Sequence, residues 1–214
     1  MPEDPKHLVE KGYDSIAQQS LAWSSHSSET RLSSLQGLLA RLTSQAEVLE
    51  LGCGAGVPCT AMLAQHCRVT AVDISAAQIE LAKEYVPDAT LIKADMLVLN
   101  FPPESFHAVV AFYSIIHIPR EEQQVLIRRI SEWLRPEGYF LVNLGTKDDP
   151  GSIEADWLGR AMFWSGYDAQ TNQEIIRNAG FDVLIAKVVD DDEDGKAVSF
   201  LWILAREKSE RLAL

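Results

Sequence analysis

Val48-Leu49-Glu50-Leu51-Gly52-Cys53-Gly54-Ala55-Gly56-Val57-Pro58 decides the fold. The apolar run over 46–51 reads as a short buried strand. Alternate glycines then break it, giving a tight turn and a bare backbone that a ligand can approach. Pro58 opens a predicted helix over 58–65, at the helix position where a proline costs least. Strand, glycine turn and helix make the first unit of a nucleotide-binding α/β sheet, with the ligand at the carboxyl end of the strand.

The glycine spacing narrows the ligand. A dinucleotide fingerprint reads Gly-x-Gly-x-x-Gly/Ala, so that a pyrophosphate sits on the helix N-terminus. Counting from Gly52, the third small residue would fall at position 57, which is Val57. The glycines run 52, 54, 56 instead, and Glu50 precedes them. A carboxylate beside the turn repels a pyrophosphate but suits a ligand carrying an ammonium or sulfonium. The stretch resembles motif I of the class I S-adenosylmethionine-dependent methyltransferases, hydrophobic-hydrophobic-Asp/Glu-x-Gly-x-Gly-x-Gly. Glu50, Gly52, Gly54 and Gly56 match it position for position. A nicotinamide oxidoreductase is opposed by Glu50 and Val57.

The composition excludes several classes. The chain has 214 residues, 47% of them hydrophobic, which fits one soluble domain over 1–214 with a sizeable core. No apolar run reaches the roughly 18 residues needed to span a membrane, and Met1-Pro-Glu-Asp-Pro is neither basic nor apolar as a secretory signal would be. The net charge of −12 and the lack of Lys/Arg clusters disfavour nucleic acid. Cys53, Cys59 and Cys67 are odd in number and fit no zinc spacing, so they read as reduced, buried thiols of a cytoplasmic protein. The acidic run Asp190-Asp191-Asp192-Glu193-Asp194 reads as a solvated turn between two strands.

Taken in order, residues 1–7 are expected to fray. Val9, Tyr13, Ile16 and Leu21 then predict an amphipathic helix over 8–23. A polar break over 24–28 leads to a second helix over 29–42, completing an N-terminal cover of residues 1–42 for a core over 46–206. The second strand, 68–75, ends in Asp73, about twenty residues past the glycines, where an acid meets ribose hydroxyls in such folds. Ser75 caps a helix over 76–85. Strand three leads into Ala94-Asp95-Met96, and strand four, 105–113, into Phe112-Tyr113-Ser114-Ile115-Ile116-His117-Ile118-Pro119. A helix over 121–134, a turn at Leu134-Arg135-Pro136-Glu137-Gly138 and a fifth strand over 139–144 follow. Residues 145–166 read as an irregular loop or short helix with a heavy aromatic load, followed by a helix over 171–179. Strands over 181–189 and 197–205 close the sheet. Alternating strands and helices imply a mostly parallel α/β sheet.

The resemblance extends over residues 8–206, and what it implies is more specific. The fold would be a Rossmann-like three-layer sandwich with a seven-stranded sheet, order 3-2-1-4-5-7-6, strand 7 antiparallel. The cofactor would be S-adenosyl-L-methionine, leaving as S-adenosyl-L-homocysteine. Its site would take in Tyr13, Glu50, Gly52, Cys53, Gly54, Gly56, Asp73, Ile74, Ala94, Asp95, Met96 and Phe112. Glu50, Asp73 and Asp95 would line one rim, facing amine, ribose and adenine. The segment Glu10-Lys11-Gly12-Tyr13-Asp14-Ser15-Ile16-Ala17 resembles the family's entry segment, whose tyrosine folds over the cofactor; Tyr13 as a helix aromatic packed on the sheet is the equal alternative. The exit of strand four lacks Asn/Asp-Pro-Pro-Tyr/Phe and is similar to the Ser-x-x-His form of ubiquinone/menaquinone-type small-molecule methyltransferases. His117 there is either a general base, with an unperturbed pKa near neutrality, or a structural group shaping the site. Tyr113, His117, Trp164 and Tyr167 form the expected wall of a small-molecule acceptor site, with a hydrophobic plug for the sheet edge the equal alternative for the Trp164–Tyr167 segment. Asp148 and Asp149 are candidate magnesium ligands near the acceptor, but a solvated loop is the favoured reading, and no metal is expected. A non-catalytic adenosyl-binding partner, and a non-methylating enzyme on the same fold, are the competing readings. Neither the acceptor nor the oligomeric state follows from the sequence.

Overall fold

The computed structural model describes residues 4–26, 29–193 and 196–208. Its strands are β1 (Glu47–Leu51), β2 (Arg68–Asp73), β3 (Thr90–Lys93), β4 (Phe106–Ala111), β5 (Leu134–Gly145), β6 (Asp149–Trp157), β7 (Arg160–Gly166), β8 (Phe181–Glu193) and β9 (Lys196–Glu207). Its α-helices are α1 (Pro5–Ser15), α2 (Ala17–His26), α3 (Glu29–Leu39), α4 (Cys59–Ala64), α5 (Ala76–Tyr85), α6 (Arg120–Trp133) and α7 (Ala169–Asn178), with a 3-10 turn at Ile115–His117.

Seven strands form one sheet in the order β3-β2-β1-β4-β5-β9-β8, parallel except for β9, which runs antiparallel to both β5 and β8. Setting aside the β6–β7 hairpin, this is the expected order 3-2-1-4-5-7-6. Helices cover both faces, as a parallel sheet requires. Leu49 and Leu51 of β1 pack with Leu126, Ile127 and Ile130 of α6 and Ile176 of α7. Val48, on the other face, packs with Leu35 and Leu38 of α3, Leu63 of α4 and Ile79 of α5. The connections from β1 and β4 leave to opposite sides of neighbouring parallel strands, which opens a crevice at their carboxyl ends.

Several elements differ from the sequence reading. The helix expected over 8–23 is two, because Ile16 leaves helical geometry at φ −120° and buries its side chain with Val9, Trp157, Met162 and Phe163. Pro58 stands at the cap of α4 rather than inside it. β5 starts at Leu134, so the expected turn is an irregularity within the strand, and Glu137 sits there at φ +66°. Residues 149–166 are not a loop or short helix but an antiparallel hairpin, β6–β7, closed through Leu158 and Gly159 at φ +51° and +88°. Two successive positive-φ residues make the tight turn that matches strand twist; a leucine in that position hides the turn from a sequence reading. Asp190 and Asp191 belong to β8 rather than to a solvated turn. Asp191 accepts the Tyr113 phenol at 2.8 Å, and Asp190 accepts the Ser199 hydroxyl at 2.6 Å. The expectations for residues 1–3, 27–28 and 194–195 lie outside the described residues. No helix of the described residues is long and apolar enough to cross a membrane.

Gly56 shows how the glycine turn is packed. It lies at φ +80°, and a Cβ there would stand 2.5 Å from Val86 Cγ2 beyond the end of α5. Gly54, at φ +55°, has only Gln78 Oε1 near, at 3.8 Å. Gly56→Ala combines left-handed strain with overpacking, roughly 2–4 kcal/mol together. Its melting temperature is therefore expected to fall by roughly 5–10 °C, and that of Gly54→Ala by less. A larger drop in Gly54→Ala, in parallel thermal melts, would overturn this packing role.

Candidate functional site

The crevice at the carboxyl ends of β1, β2 and β4 is a cleft with about 950 Å³ of empty space, its open mouth included. Its floor is the glycine turn. Gly52 and Cys53 N–H both donate to Val72 O, at 2.8 and 3.0 Å, tying the turn to the end of β2. The Ser114 hydroxyl donates to Leu51 O at 2.7 Å and ties the β4 exit to the end of β1. Gly52 lies against this contact, since a Cβ there would meet Ser114 Cβ at 2.3 Å.

Asp73 binds the parts together. One carboxylate oxygen accepts Gly54 N–H at 2.8 Å and the other Ser75 N–H at 2.9 Å. Burial pushes its pKa up to about 6 against the pull of those two N–H groups. Ser75 caps α5 by accepting Gln78 N–H at 3.2 Å. In a full capping box the Gln78 side chain would reach back to the Ser75 N–H. Asp73 already occupies that N–H, so the Gln78 amide turns elsewhere. It is buried, lines the cleft, and neither its Oε1 nor its Nε2 has a partner. A buried amide without partners costs free energy unless a ligand supplies them.

Helix α1 lies across the cleft. Lys6, Glu10 and Asp14, spaced one turn apart on one face, meet Asp95, Lys93 and Ser75 in turn. Lys6 pairs with Asp95 at 3.1 Å, Glu10 with Lys93 at 2.6 Å, and Asp14 accepts the Ser75 hydroxyl at 2.6 Å. The next face carries Tyr13, whose hydroxyl is 2.9 Å from His117 Nε2. His117 Nδ1 is 2.8 Å from Phe163 O. A carbonyl only accepts, so Nδ1 carries the proton and the Tyr13 hydroxyl donates to Nε2. Burial pushes the imidazole down to about 4. His117 is thus a neutral group with both nitrogens engaged, its ring packed against Trp164 at 4.4 Å with a tilt of 38°.

The cleft brings together Tyr13, Gly52, Cys53, Gly54, Asp73, Ile74, Asp95, Met96, Phe112, Tyr113 and His117 from the expected set. It does not bring in the rest. Glu50 has the same strand parity as Val48 and points under α3 and α4. There it accepts the Thr60 hydroxyl at 2.6 Å, and burial pushes its pKa up to about 7. Gly56 faces Val86, and Ala94 packs on the core beside β3. Trp164 lines a second cleft instead. Tyr167 reaches neither cleft: its ring lies under Arg120 at 5.0 Å and its hydroxyl accepts from Gln124 at 3.0 Å. Asp148 pairs with Arg120, and Asp149 accepts Gly151 N–H and the Ser152 hydroxyl.

Among the lining residues that sequence reasoning missed are Gln78, Arg31 and Trp157. Gln78 was signalled by Ser75-x-x-Gln78, a capping pattern whose side chain is released by the acid before it. Arg31 of α3 is buried, with its guanidinium 4.8 Å from the Tyr113 ring centre and lining the cleft; a lone arginine in a leucine-rich helix gave no sign of that. Trp157 is placed by the unforeseen hairpin. It stands between the first cleft and a second one of about 1540 Å³, open mouth included, behind the hairpin.

Comparison with known proteins agrees with this geometry. A family model described as a methyltransferase domain matches residues 48–138. The carboxy-S-adenosyl-L-methionine synthase of Photorhabdus laumondii is 26% identical over 147 residues, 63% of this chain and 56% of that protein. The 27-O-demethylrifamycin SV methyltransferase of Amycolatopsis mediterranei is 33% identical over 135 residues, 59% of this chain and 49% of that one. The chain thus spans a little over half the length of these curated relatives or just under it. Among solved structures, the Burkholderia thailandensis 1,6-didemethyltoxoflavin-N1-methyltransferase, with its substrate and S-adenosylhomocysteine bound, superposes with a TM-score of 0.64 at 21% identity, covering 97% of this chain and 92% of that one.

Two measurements test the site's electrostatics. The folded pKa of Glu50 lies above its ordinary value of 4.5, so its protonated form favours folding below that value and this contribution is lost as the pH rises through about 7. Glu50→Gln is expected to flatten the dependence of melting temperature on pH between 5 and 8; an unchanged slope would contradict this burial. Nitrogen-detected NMR is expected to show His117 neutral and protonated on Nδ1 throughout that range. Titration of His117 near pH 6.5 would contradict the Tyr13–His117–Phe163 arrangement.

Proposed function

Since the chain belongs to the class I S-adenosylmethionine-dependent methyltransferases, we propose that it transfers a methyl group from S-adenosylmethionine to a small-molecule acceptor. The observation that carries this reading is the unpartnered Gln78 amide beside Asp73 and the open Gly54, in a cleft at the ends of β1 and β2. Such a cradle fits a polar, sugar-bearing group. The residues that would hold it are the backbone from Gly52 to Gly54, Asp73, Ile74, Gln78, Asp95, Met96 and Phe112. When bound, the donor supplies a methyl group already activated by its positive sulfur.

The protein's own part is alignment and exclusion of water. Good alignment alone supplies about 7–11 kcal/mol. α1 covers the cleft and Tyr13 is fixed by His117, so the cover is closed over the reacting region without a titrating group at neutral pH. His117 acts here as a positioning residue for Tyr13. Tyr113 and His117 line the same cleft as Asp73 and Gln78, so an acceptor beside the donor would meet these two side chains.

Calorimetric titration with S-adenosylmethionine, S-adenosylhomocysteine and NADH tests the reading. The adenosyl pair is expected to bind at micromolar affinity and NADH not at all. Asp73→Asn is expected to lose at least about tenfold in that affinity, the scale of hydrogen bonds to a charged group. The wild-type affinity should also weaken as the pH falls through about 6, because Asp73 then takes up a proton. Binding of NADH alone, or silence from all three, would overturn the proposal.

A further inference from the structure

Arg31 is a cation in an unusual place. It stands in the first turn of α3, where the helix dipole favours an acid. It is 7% exposed and lines the first cleft, with its guanidinium 4.8 Å over the Tyr113 ring. Glu50, beneath the glycine turn, is an acid that feels this charge, yet burial holds its pKa at about 7 in spite of the guanidinium. Near neutral pH Glu50 is therefore about half protonated and supplies only part of a balancing charge. Cys59 also meets the guanidinium, as a thiol that burial keeps protonated. Burying a charge is costly unless it is paired.

The rest of the cleft offers an anion little. Backbone N–H groups at a glycine turn ordinarily make an anion cradle. Here they are engaged within the fold: Gly52 and Cys53 donate to Val72 O, Gly54 to Asp73, and Gly56 to Cys53 O. Lys6, the other Lys or Arg among the described lining residues, pairs with Asp95 at 3.1 Å and Glu122 at 3.6 Å. Asp73 and Asp95 repel an anion from the β2–β3 end. What remains is the Arg31 guanidinium at the other end, past β4. Its planar fork matches a carboxylate through two parallel N–H bonds.

We propose that Arg31 is the anion-binding residue of this cleft and holds a carboxylate at the Tyr113 end. Resting on the donor reading above, that carboxylate belongs either to the amino-acid end of the donor or to an acidic acceptor. Both sources present the same group beside Tyr113, and in both Arg31 is a specificity residue. A molecule of the same shape without the carboxylate loses this contact.

Calorimetry on the full chain separates the sources. S-Adenosylhomocysteine and 5′-methylthioadenosine share the adenosine and the thioether and differ in the amino-acid end. Benzoate and benzamide share a shape and differ in charge; they are titrated with and without saturating S-adenosylhomocysteine. If the donor supplies the carboxylate, Arg31→Met is expected to weaken S-adenosylhomocysteine at least about tenfold and leave 5′-methylthioadenosine unchanged. If the acceptor supplies it, the loaded chain is expected to prefer benzoate to benzamide at least about tenfold, and Arg31→Met to abolish that preference. Arg31→Lys, which keeps the charge without the fork, is expected to recover part of the loss in either case. Equal weakening of S-adenosylhomocysteine and 5′-methylthioadenosine would make Arg31 a packing residue and overturn the proposal, as would indifference of both pairs to Arg31→Met. Failure of both adenosyl compounds to bind would instead overturn the donor reading, and the benzoate preference of the unloaded chain would still decide for or against the anion site.

Discussion

The Asp73 carboxylate is the joint on which the site hangs. It grips Gly54 N–H on one side and Ser75 N–H on the other, so the turn after β1 and the start of α5 cannot move apart. From there the hydrogen bonds continue. Ser75 donates its hydroxyl to Asp14, which brings in α1; α1 carries Tyr13 to His117, and His117 donates to Phe163 O in β7. A single polar chain thus runs from the second strand of the sheet, across the cover, to the inserted hairpin. Its first link is also the most expensive, since a carboxylate has been buried to make it and its ionisation resisted. Two backbone N–H donors offset that cost, and they are the two groups whose positions define the cleft floor.

The remaining attachments of the cover are of a different kind. Lys6–Asp95 and Glu10–Lys93 are partly exposed ion pairs, each worth about 0–1 kcal/mol after solvent screening. Val9 and Gly12 pack on the hairpin, with Met162 Cε 3.0 Å from where a Gly12 Cβ would stand. α1 is therefore held by several weak contacts and one good network, not by a continuous core. An element that covers a ligand site has to be of this sort, because parts that open locally are drawn from the less stable end of a structure.

What the sequence made legible follows the same division. The buried parallel strands and the acids at their ends were readable because each is a local pattern with fixed spacing: an apolar run, a glycine turn, an acid some twenty residues on. Asp73, Ile74, Asp95 and Met96 accordingly fell where expected in the cleft. The direction of a side chain was less readable. Glu50 belongs to the motif yet points away, because a strand sends alternate residues to opposite faces and Val48 and Glu50 share the α3–α4 face. Gly56 is required by Val86, a contact thirty positions along the chain and invisible to a motif. Arg31 reaches the cleft only because α3 lies where the fold puts it. β6, with Pro150, Gly151 and three acids, has no strand pattern at all. It pairs because β7 supplies the apolar side chains, Met162 and Phe163, that are buried against α1.

The two clefts are consequently built by different physics. The first is sheet-borne, its atoms fixed by strand ends and backbone hydrogen bonds that tolerate little change. The cleft behind Trp157 is assembled from α2, the hairpin, the end of β5 and the start of β9, and is joined to the first mainly by ring-on-ring contacts. Aromatic packing of this kind holds a wall without dictating what lines its far side. Glu154 of β6 is exposed and takes no part in the Asp73 network. The sheet-borne cleft and the one behind the hairpin are thus held by separate sets of contacts, the first hydrogen-bonded and the second aromatic.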